Sequence, residues 1–427
     1  MIRYFIAAVE YALTASMLTG LCYGAARRID IEIEIEVRGG GARRSLTFGI
    51  LAGTLFALTL AILRRTTAIN RGMVATAVLC LSIIAALCFI PLLWRGPSRC
   101  RFPLLWNRLF QWAGAVFAGS IAASAMPSLF LLPSEFMLAG QSVFSTEFLL
   151  KSGGALAGVA LPALIGLGLF HAARRGRDFV FRLVFTLMAA CNAVHQAALA
   201  AQFLMARRIL PLTRWLFRFV MNAVNREAVF RYAGIALALI LALALLADAL
   251  LETARQREPA RNPAEGRKIR ARRRRDVRRG VSAAAALALA LASLTALKAW
   301  DTREIPLSPA EPMDVSGGEI SIPLERIADG RLHRFAWDAR GVEVRFIVIK
   351  KSAAAYGVGL DACDICGSTG YYERRDEVIC RLCDVVMNKS TIGFKGGCNP
   401  VPLAYTVRRG AMIVLIADLE REKSRFQ

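Results

Sequence analysis

The chain has 427 residues, of which 56% are hydrophobic, and its mean hydropathy is +0.45. Ordinary soluble domains have a lower apolar content and no long uncharged runs, so this composition excludes a simple soluble protein. The formal net charge of +23 would suit nucleic acid in a soluble chain. Because the arginines cluster between apolar runs, topology and anionic headgroups explain the charge better, and membrane lipid rather than nucleic acid is the expected partner.

Several apolar runs are long enough to cross a bilayer, which takes about 20 mainly apolar residues. The first run is expected to be a retained helix rather than a cleavable signal, because Glu10 interrupts its apolar core. The sequence therefore predicts a polytopic α-helical membrane bundle of about eight spans. The spans are expected at roughly 4–25, 45–63, 72–94, 108–132, 153–172, 179–205, 229–250 and 281–299.

The segment 30–37 alternates strictly between acidic and apolar residues. Alternation with a period of two is typical of a β-strand, so the pattern predicts a strand with four carboxylates on one face and apolar residues on the other. Gly39, Gly40 and Gly41 then predict a flexible return to the membrane.

Two titratable residues lie inside predicted spans, Glu10 in the first and His195 in the sixth. Burying such groups in lipid is costly, so each is a candidate functional group. Two interpretations of His195 stay open: a quinone or proton site, and a histidine that is hydrogen-bonded within the bundle.

A basic amphipathic helix is predicted between the sixth and seventh spans. Arg214, Arg218, Asn222 and Arg226 recur every four residues, which places them on one slowly drifting helix face. Aromatic and aliphatic residues occupy the other side. The pattern fits a helix that lies along the membrane surface, and it fits a solvated loop helix equally well.

The segment 252–280 holds twelve basic and four acidic residues. Basic segments beside spans stay cytoplasmic, so the last span should lead outward and everything after Trp300 should be extracytoplasmic. With eight spans, the N-terminus is then also outside. The basic loops around Arg64 and Arg214 fit this orientation badly, because both would lie outside.

Beyond the spans the pattern changes to short strands. We predict seven spans over 1–252, a basic cytoplasmic loop over 253–280, the final helix over 281–300, a proline-containing linker over 301–318 and a cysteine-rich domain over 319–427. The predicted fold class is a helical membrane bundle followed by a small, mainly β extracytoplasmic metal-binding domain. Strands are expected at 319–323, 333–337, 342–350, 356–361, 377–380, 405–409 and 412–417.

Five of the ten cysteines lie close together near the end of the chain. Cys363 and Cys366 form one C-x-x-C pair, Cys380 and Cys383 form a second, and Cys398 follows. A C-x-x-C turn directs two thiolates into one concave site. Two such turns brought together make a four-sulfur cage, so the spacing predicts a metal site.

The spacing alone does not identify the metal. Zinc and iron both suit a four-sulfur cage, and two disulfides would use the same cysteines. Gly367 allows a tight turn after the first pair. Cys398 argues against a plain structural zinc, because four-coordinate zinc leaves a fifth thiol over. His333 is a weaker candidate ligand in the same domain.

Several stretches of this sequence resemble the FtrD-like membrane iron–sulfur proteins. Around the cysteines they are I-S-I-P-L-E from Ile320, G-R-L-H-R-F from Gly330, Y-G-V-G-L-D-A-C-D-I-C-G from Tyr356 and I-G-F-K-G-G-C-N-P-V-P-L from Ile392. Further similar stretches lie in the membrane part at 130–136, 142–151 and 206–212, so the resemblance extends over nearly the whole chain. One departure is Asp384, where a glycine is expected after the second pair.

The resemblance implies an iron–sulfur centre held by Cys363, Cys366, Cys380, Cys383 and Cys398, with zinc or mononuclear iron as the alternative. It also implies a multi-pass protein of the bacterial inner membrane that works beside an iron permease and a periplasmic iron-binding protein. The predicted function is electron transfer with iron or a partner at the periplasmic face. The rival interpretations are a metal-binding or handover module with a structural four-cysteine site, and a thiol–disulfide oxidoreductase.

Overall fold

The structure is a computed structural model. It describes residues 1–36, 41–63, 70–97, 100–135, 146–211, 213–255, 262–303, 306–352, 355–374, 377–383, 385–396 and 398–427. The chain divides into two compact units, Met1–Thr302 and Arg303–Gln427. The first unit is helical and the second is mainly β.

In the part of the chain that the structure describes, eight helices are long and apolar enough to cross a membrane. This confirms the predicted bundle. Helices suit a bilayer because their backbone N–H and C=O groups bond to one another rather than to water. The helices of the first unit are α1 (Ile2–Glu36), α2 (Ala42–Leu63), α3 (Arg71–Arg95), α4 (Pro103–Leu131), α5 (Thr146–Arg175), α6 (Asp178–Ala206), the short α7 (Arg214–Asn225), α8 (Glu227–Arg255), α9 (Pro263–Ala292) and the short α10 (Lys298–Asp301).

Glycines let two pairs of helices pack closely and in parallel. A Cβ built on Gly166 of α5 would lie 2.7 Å from the backbone oxygen of Ser16 on α1. One built on Gly119 of α4 would lie 2.7 Å from the backbone oxygen of Gly49 on α2. In each pair, residues further along one helix contact residues further along the other, so the two helices run parallel. Alternating spans produce this arrangement, because α1 and α5, like α2 and α4, cross in the same direction.

Arginines join several helices at one end of the first unit, here called the arginine end. Arg28 of α1 pairs with Asp178 of α6 at 2.7 Å, and Arg43 of α2 pairs with Asp30 of α1 at 3.0 Å. These contacts bring the C-terminal end of α1 together with the N-terminal ends of α2 and α6. Further bonds at this end run from Arg182 to Trp94 O at 2.7 Å, from Arg177 to Asp248 at 2.8 Å and from Arg273 to Ala249 O at 3.0 Å.

At the opposite end, Glu10 lies between two cations. Its Oε1 accepts from Arg231 of α8 at 3.2 Å and from Lys298 of α10 at 2.6 Å. A π-helical turn, Ser293–Leu297, comes just before Lys298 in the last span. The paired cations offset the cost of placing a carboxylate within the bundle, so Glu10 ties α1 to α8 and to the end of the last span.

His195 lies on α6 with its ring centroid 5.1 Å from that of Phe230. Its Nε2 atom is buried, and no hydrogen-bond partner for it is found among the described residues. The expected hydrogen bond within the bundle is therefore missing at this atom.

The predicted strand at 30–37 is wrong, because α1 continues as a helix to Glu36. Asp30 accepts from the backbone N–H of Ala42 and pairs with Arg43, each at 3.0 Å. Helix propagation from the long apolar run and contacts with the next helix thus override a local period of two. Of the remaining residues in this prediction, Val37, Gly39 and Gly40 lie outside the described residues.

Two segments beside the spans are helical. The amphipathic segment forms α7 as predicted, with Trp215 and Phe219 exposed. The segment expected as a basic loop is helical from Pro263, where Asn262 caps α9 by accepting from the Glu265 N–H at 2.7 Å. Arginine and lysine are good helix formers, so the basic segment continues directly into the last span.

The described part of the second unit holds ten short strands in three antiparallel sheets. The strand orders are β1-β2-β10-β9, β3-β4-β5 and β6-β7-β8. All seven predicted strands are present with small shifts at their ends, whereas β1, β6 and β8 were not predicted. The elements are β1 (Asp314–Ser316), β2 (Glu319–Pro323), β3 (His333–Asp338), β4 (Glu343–Lys350), β5 (Tyr356–Leu360), β6 (Tyr371–Arg374), β7 (Glu377–Cys380), β8 (Val386–Met387), β9 (Thr406–Arg408), β10 (Ala411–Leu415) and α11 (Ile416–Arg421).

Strands of the second and third sheets position the cysteines. Phe335 of β3 and Phe346 of β4 are register partners, and their buried rings stack with centroids 5.3 Å apart. β5 pairs with β4 and ends at Leu360, shortly before Cys363, while β7 ends on Cys380. Both C-x-x-C turns therefore begin where a packed strand ends.

Gly166→Val should destabilise the membrane unit, because the new side chain would meet the Ser16 backbone, which cannot move aside. Overpacking of this kind typically costs ~1–3 kcal/mol. Gly153→Val on the same helix is the matched control, since no described atom lies within 4 Å of a Cβ built there. Thermal unfolding in detergent should give a lower Tm for Gly166→Val than for Gly153→Val. Equal Tm values would contradict the close packing of α1 on α5.

Candidate metal centre

The first C-x-x-C pair forms a tight turn directly after β5. Cys363 and Gly367 exchange two backbone hydrogen bonds, at 3.1 and 3.0 Å. Within this turn the N–H of Cys366 donates to Cys363 Sγ at 3.0 Å. Gly367 has a φ of +67°, a left-handed conformation that residues with a side chain rarely adopt. The structure thus confirms the predicted turn and explains why it uses glycine.

The second pair forms a similar turn after β7. The backbone N–H groups of Leu382 and Cys383 donate to the sulfur of Cys380. The N–H of Cys380 donates to Val385 O at 3.1 Å. Burial raises the pKa of Cys380 overall, whereas the two N–H groups directed at its sulfur act in the opposite direction and favour the thiolate, which is the form that binds metal. Asp384, which replaces the expected glycine, lies outside the described residues.

The two turns and Cys398 bring five thiols together. Cys363, Cys366 and Cys398 have Sγ atoms within 4.8 Å of one another, and so do Cys366, Cys380 and Cys383. Cys366 belongs to both groups, and Cys383 Sγ lies 3.7 Å from Cys398 Sγ. Neighbouring sulfurs of a tetrahedral ion with ~2.3 Å metal–sulfur bonds are ~3.8 Å apart, so the thiols fit metal ligation. The described cysteines are all free thiols.

The loop that holds Cys398 is fixed by hydrogen bonds. Thr391 Oγ1 donates to Asn399 Oδ1 at 3.2 Å, and the Asn399 N–H donates to Gly396 O at 3.1 Å. Tyr371 Oη donates to the backbone oxygen of Cys398 at 2.6 Å. The fold therefore positions Cys398, and the cluster offers one thiol more than a four-coordinate ion uses.

A fully buried carboxylate anchors the segment between the two cysteine pairs. Asp361 Oδ2 accepts from Arg334 at 2.9 Å and from Arg345 at 3.2 Å, and its Oδ1 accepts from the Tyr371 N–H at 2.8 Å. Arg334 also donates to the backbone oxygen of Tyr371, and Arg345 donates to Ser368 O at 2.7 Å. These bonds tie the chain around the thiols to β3 and β4.

The surroundings shift the pKa values of Cys363 and Cys366 in opposite directions. Burial raises the pKa of Cys366, and the neighbouring Cys383 and Cys380 raise it further. Burial also acts upward on Cys363, but hydrogen bonds from the backbone of Cys366 and Ile365 outweigh it and lower the pKa. Thiols this close cannot all ionise without a compensating cation. A bound metal ion would supply that charge.

His333 is held by two carboxylates. Its Nδ1 lies 2.8 Å from Glu311 Oε1, and its Nε2 lies 2.8 Å from Asp329 Oδ1. Burial acts upward on the Asp329 carboxyl, but bonds from the Arg331 N–H and from His333 lower its pKa. Among the described residues, His333 is in neither group of clustered thiols. These contacts tie the segment before β1 to β3, and a role of His333 as a metal ligand stays a prediction.

Asp361, Arg334 and Tyr371 were not identified from the sequence. Asp361 stands two residues before Cys363, which is the one local signal that pointed to it. Arg334 gives no such signal, because arginine is mostly exposed and a buried one is recognisable only beside its carboxylate partner. The phenol of Tyr371 is recognisable as part of the site only through its hydrogen bond to Cys398, which is distant in sequence.

Together, the eight long apolar helices and the cluster of thiols fit a metal-binding membrane protein. Residues 327–426 match the family model described as membrane iron-sulfur containing protein FtrD-like. The resemblance drawn from the sequence is thereby confirmed for the C-terminal region, which contains all five clustered cysteines. For the similar stretches of the membrane part it stays a prediction. No curated protein and no solved structure matches the chain.

Asp361→Asn should strongly destabilise the second unit, because it leaves the buried Arg334 cation without its counter-charge. Removing one partner of a buried ion pair typically costs ~3–5 kcal/mol. Asp364→Asn is the matched control, since the exposed pair of Asp364 with Arg425 is worth only about 0–1 kcal/mol. Proteolysis of the full-length protein in increasing urea, read as loss of the C-terminal fragment, measures the difference. If both variants resist proteolysis as well as the unchanged protein, the ion pairs of Asp361 do not stabilise the second unit.

Proposed function

We propose that this protein is a membrane-bound iron–sulfur electron-transfer component of a bacterial iron-uptake system. The observation that supports this most directly is the five-thiol cluster within a region that matches an iron–sulfur family. An iron–thiolate centre exchanges single electrons, at a potential set by hydrogen bonds and exposure. Its ligands would be Cys363, Cys366, Cys380 and Cys383, with Cys398 as an extra ligand or as a nearby thiol that tunes the potential.

The surface beside the thiols suits exchange with a partner protein. Cys366 and Cys383 are half-buried, whereas Cys363 is buried. Ile365 precedes Cys366 and is 68% exposed, and Leu382 precedes Cys383 and is 61% exposed. These two side chains offer a small apolar contact area beside the thiols, and electron-transfer encounters use small, weak interfaces. An iron permease or a periplasmic iron-binding protein is the partner we propose.

The distribution of arginines supports a cytoplasmic arginine end. Basic residues near the ends of spans remain on the cytoplasmic side. The opposite end also carries arginines, but several lie on α7, whose amphipathic character suits a helix at the membrane surface. With the arginine end in the cytoplasm of a bacterial inner membrane, the last span leads the second unit outward. The basic residues at the arginine end include Arg27, Arg28, Arg43, Arg44, Arg95, Arg174, Arg175, Arg177, Arg182 and the run from Arg267 to Arg279.

One contact favours the thiol–disulfide alternative. Cys383 Sγ and Cys398 Sγ are 3.7 Å apart, so a small movement would let them form a disulfide. That step would release two electrons and two protons to an oxidant, and it would remove two of the proposed metal ligands. Metal content and disulfide content therefore separate the two functions.

Cys398→Ser should leave the second unit folded but shift or abolish the redox signal and impair growth when iron is scarce. Cys363→Ser and Cys380→Ser should lose the metal and destabilise the unit, because metal binding is coupled to folding. Cys191→Ser in the membrane unit is the control and should change none of these properties. Metal analysis with visible and electron paramagnetic resonance spectra provides the measurement.

The same measurements decide between the candidates. The proposal requires iron and visible bands that a reductant bleaches. Colourless protein with stoichiometric zinc would instead indicate a structural site, above all if Cys398→Ser kept wild-type metal content and growth. A metal-free protein with Cys383 joined to Cys398 would indicate thiol–disulfide chemistry.

Reporter fusions test the proposed topology. A reporter placed after Gln427 should be active only outside the cytoplasm, and one inserted near Arg272 should be active only inside, because the basic run precedes the last span. A C-terminal reporter that is active in the cytoplasm would refute the proposed orientation. It would also refute the proposal that the protein exchanges electrons outside the cytoplasm.

A further inference from the structure

An apolar groove runs along the outside of the membrane unit between α2, α3 and α4. It consists of two adjoining cavities of about 340 and 330 Å³, which share Phe48, Trp112 and Ala115. The cavity of about 340 Å³ also includes Gly53 and Gly119, where the backbones of α2 and α4 lie close together. The groove therefore has a smooth, small-residue floor between aromatic walls.

The cavity of about 330 Å³ gives the groove a polar mouth, formed by Arg44, Ser45 and Gln111. Ser45 Oγ donates to Gln111 Oε1 at 3.2 Å, and Gln111 Nε2 donates to Asn107 Oδ1 at 3.1 Å. Arg44 is exposed, and within the described ranges no ion pair or hydrogen bond engages its side chain. Arg44 is thus the charge at the mouth that a ligand can meet.

The mouth lies at the arginine end, because Arg44 follows Arg43, which pairs with Asp30. The chain leaves the membrane unit at the other end, where Lys298 pairs with Glu10. A hydrocarbon core of roughly 30 Å separates the two ends. A quinone bound with its head at this mouth would be far from the end that leads to the cysteines, so the location does not suit an electron donor.

We propose that this groove is a binding site for an anionic phospholipid, with the phosphate on Arg44 and one acyl chain along the apolar floor. Arginine forms bidentate charge-assisted bonds with phosphate, and basic pockets between membrane helices bind acidic headgroups. Trp112 is 71% exposed at the junction of the two cavities, and tryptophan rings favour the headgroup level. The proposal is independent of the redox function.

Quenching of Trp112 fluorescence by brominated lipid tests the site. The full-length protein is reconstituted in phosphatidylcholine vesicles that contain the same small fraction of either brominated phosphatidylglycerol or brominated phosphatidylcholine. The signal of Trp112 is the difference between the unchanged protein and Trp112→Phe. Brominated phosphatidylglycerol should quench it about five-fold more effectively, which corresponds to the ~1 kcal/mol that one arginine contributes near an anionic headgroup.

Matched variants distinguish lipid binding at the groove from contact of Trp112 with bulk lipid. Arg44→Gln should abolish the preference, whereas Arg101→Gln, which removes another exposed arginine at the same end outside the groove, should keep it. Ala52→Leu should fill the groove and reduce quenching by both lipids. Equal quenching by the two lipids in the unchanged protein, or a preference that survives Arg44→Gln, would mean that Trp112 meets bulk lipid only. Relief of quenching by added ubiquinone but not by unlabelled phosphatidylglycerol would assign the groove to a quinone and overturn the proposal.

Discussion

The buried carboxylate of Asp361 connects the segments that hold the clustered cysteines. It lies two residues before Cys363, and it accepts from the N–H of Tyr371, where β6 begins. β6 pairs with β7, which ends on Cys380, while the phenol of Tyr371 holds the backbone oxygen of Cys398. Two arginines neutralise the carboxylate inside the unit. In a low-dielectric interior such a network is stable only when every member is paired, so the positions of the thiols depend on it.

The described part of the second unit has two hydrophobic clusters, which differ in whether they include the thiols. The larger one packs β2, β3, β4, β5 and β10 and contains Phe335, Phe346 and Met412. The smaller one includes Cys363 and Cys380 among its buried residues, so its packing is continuous with the thiols. Burial of apolar surface can hold the larger cluster without a metal ion. The smaller cluster surrounds thiols that cannot all ionise without a compensating cation, so a bound metal ion would stabilise the fold around them.

In the membrane unit, close packing and charge follow from different residue types. Glycines remove the side chains that would keep α1 from α5 and α2 from α4, because van der Waals contact rather than hydrophobic burial joins helices in lipid. Arginines collect at one end, where they pair with Asp30, Asp178 and Asp248. The same arginines thus connect helices and give the bundle an asymmetric charge. At the other end, Glu10 connects helices in the same way, through its ion pairs with Arg231 and Lys298.

The sequence by itself determined the features that depend on neighbouring residues. The eight spans, the seven predicted strands and the turn at Gly367 were all predicted correctly, because hydropathy, periodicity and the C-x-x-C spacing are local properties. The strand expected at 30–37 failed since a local period of two competes with helix propagation and with contacts to α2. Only the tertiary structure decided that Asp361 pairs with Arg334 and that Cys398 joins the other thiols. Those contacts join segments far apart in the chain, and no local pattern encodes them, because their free energy arises only when folding removes both partners from water.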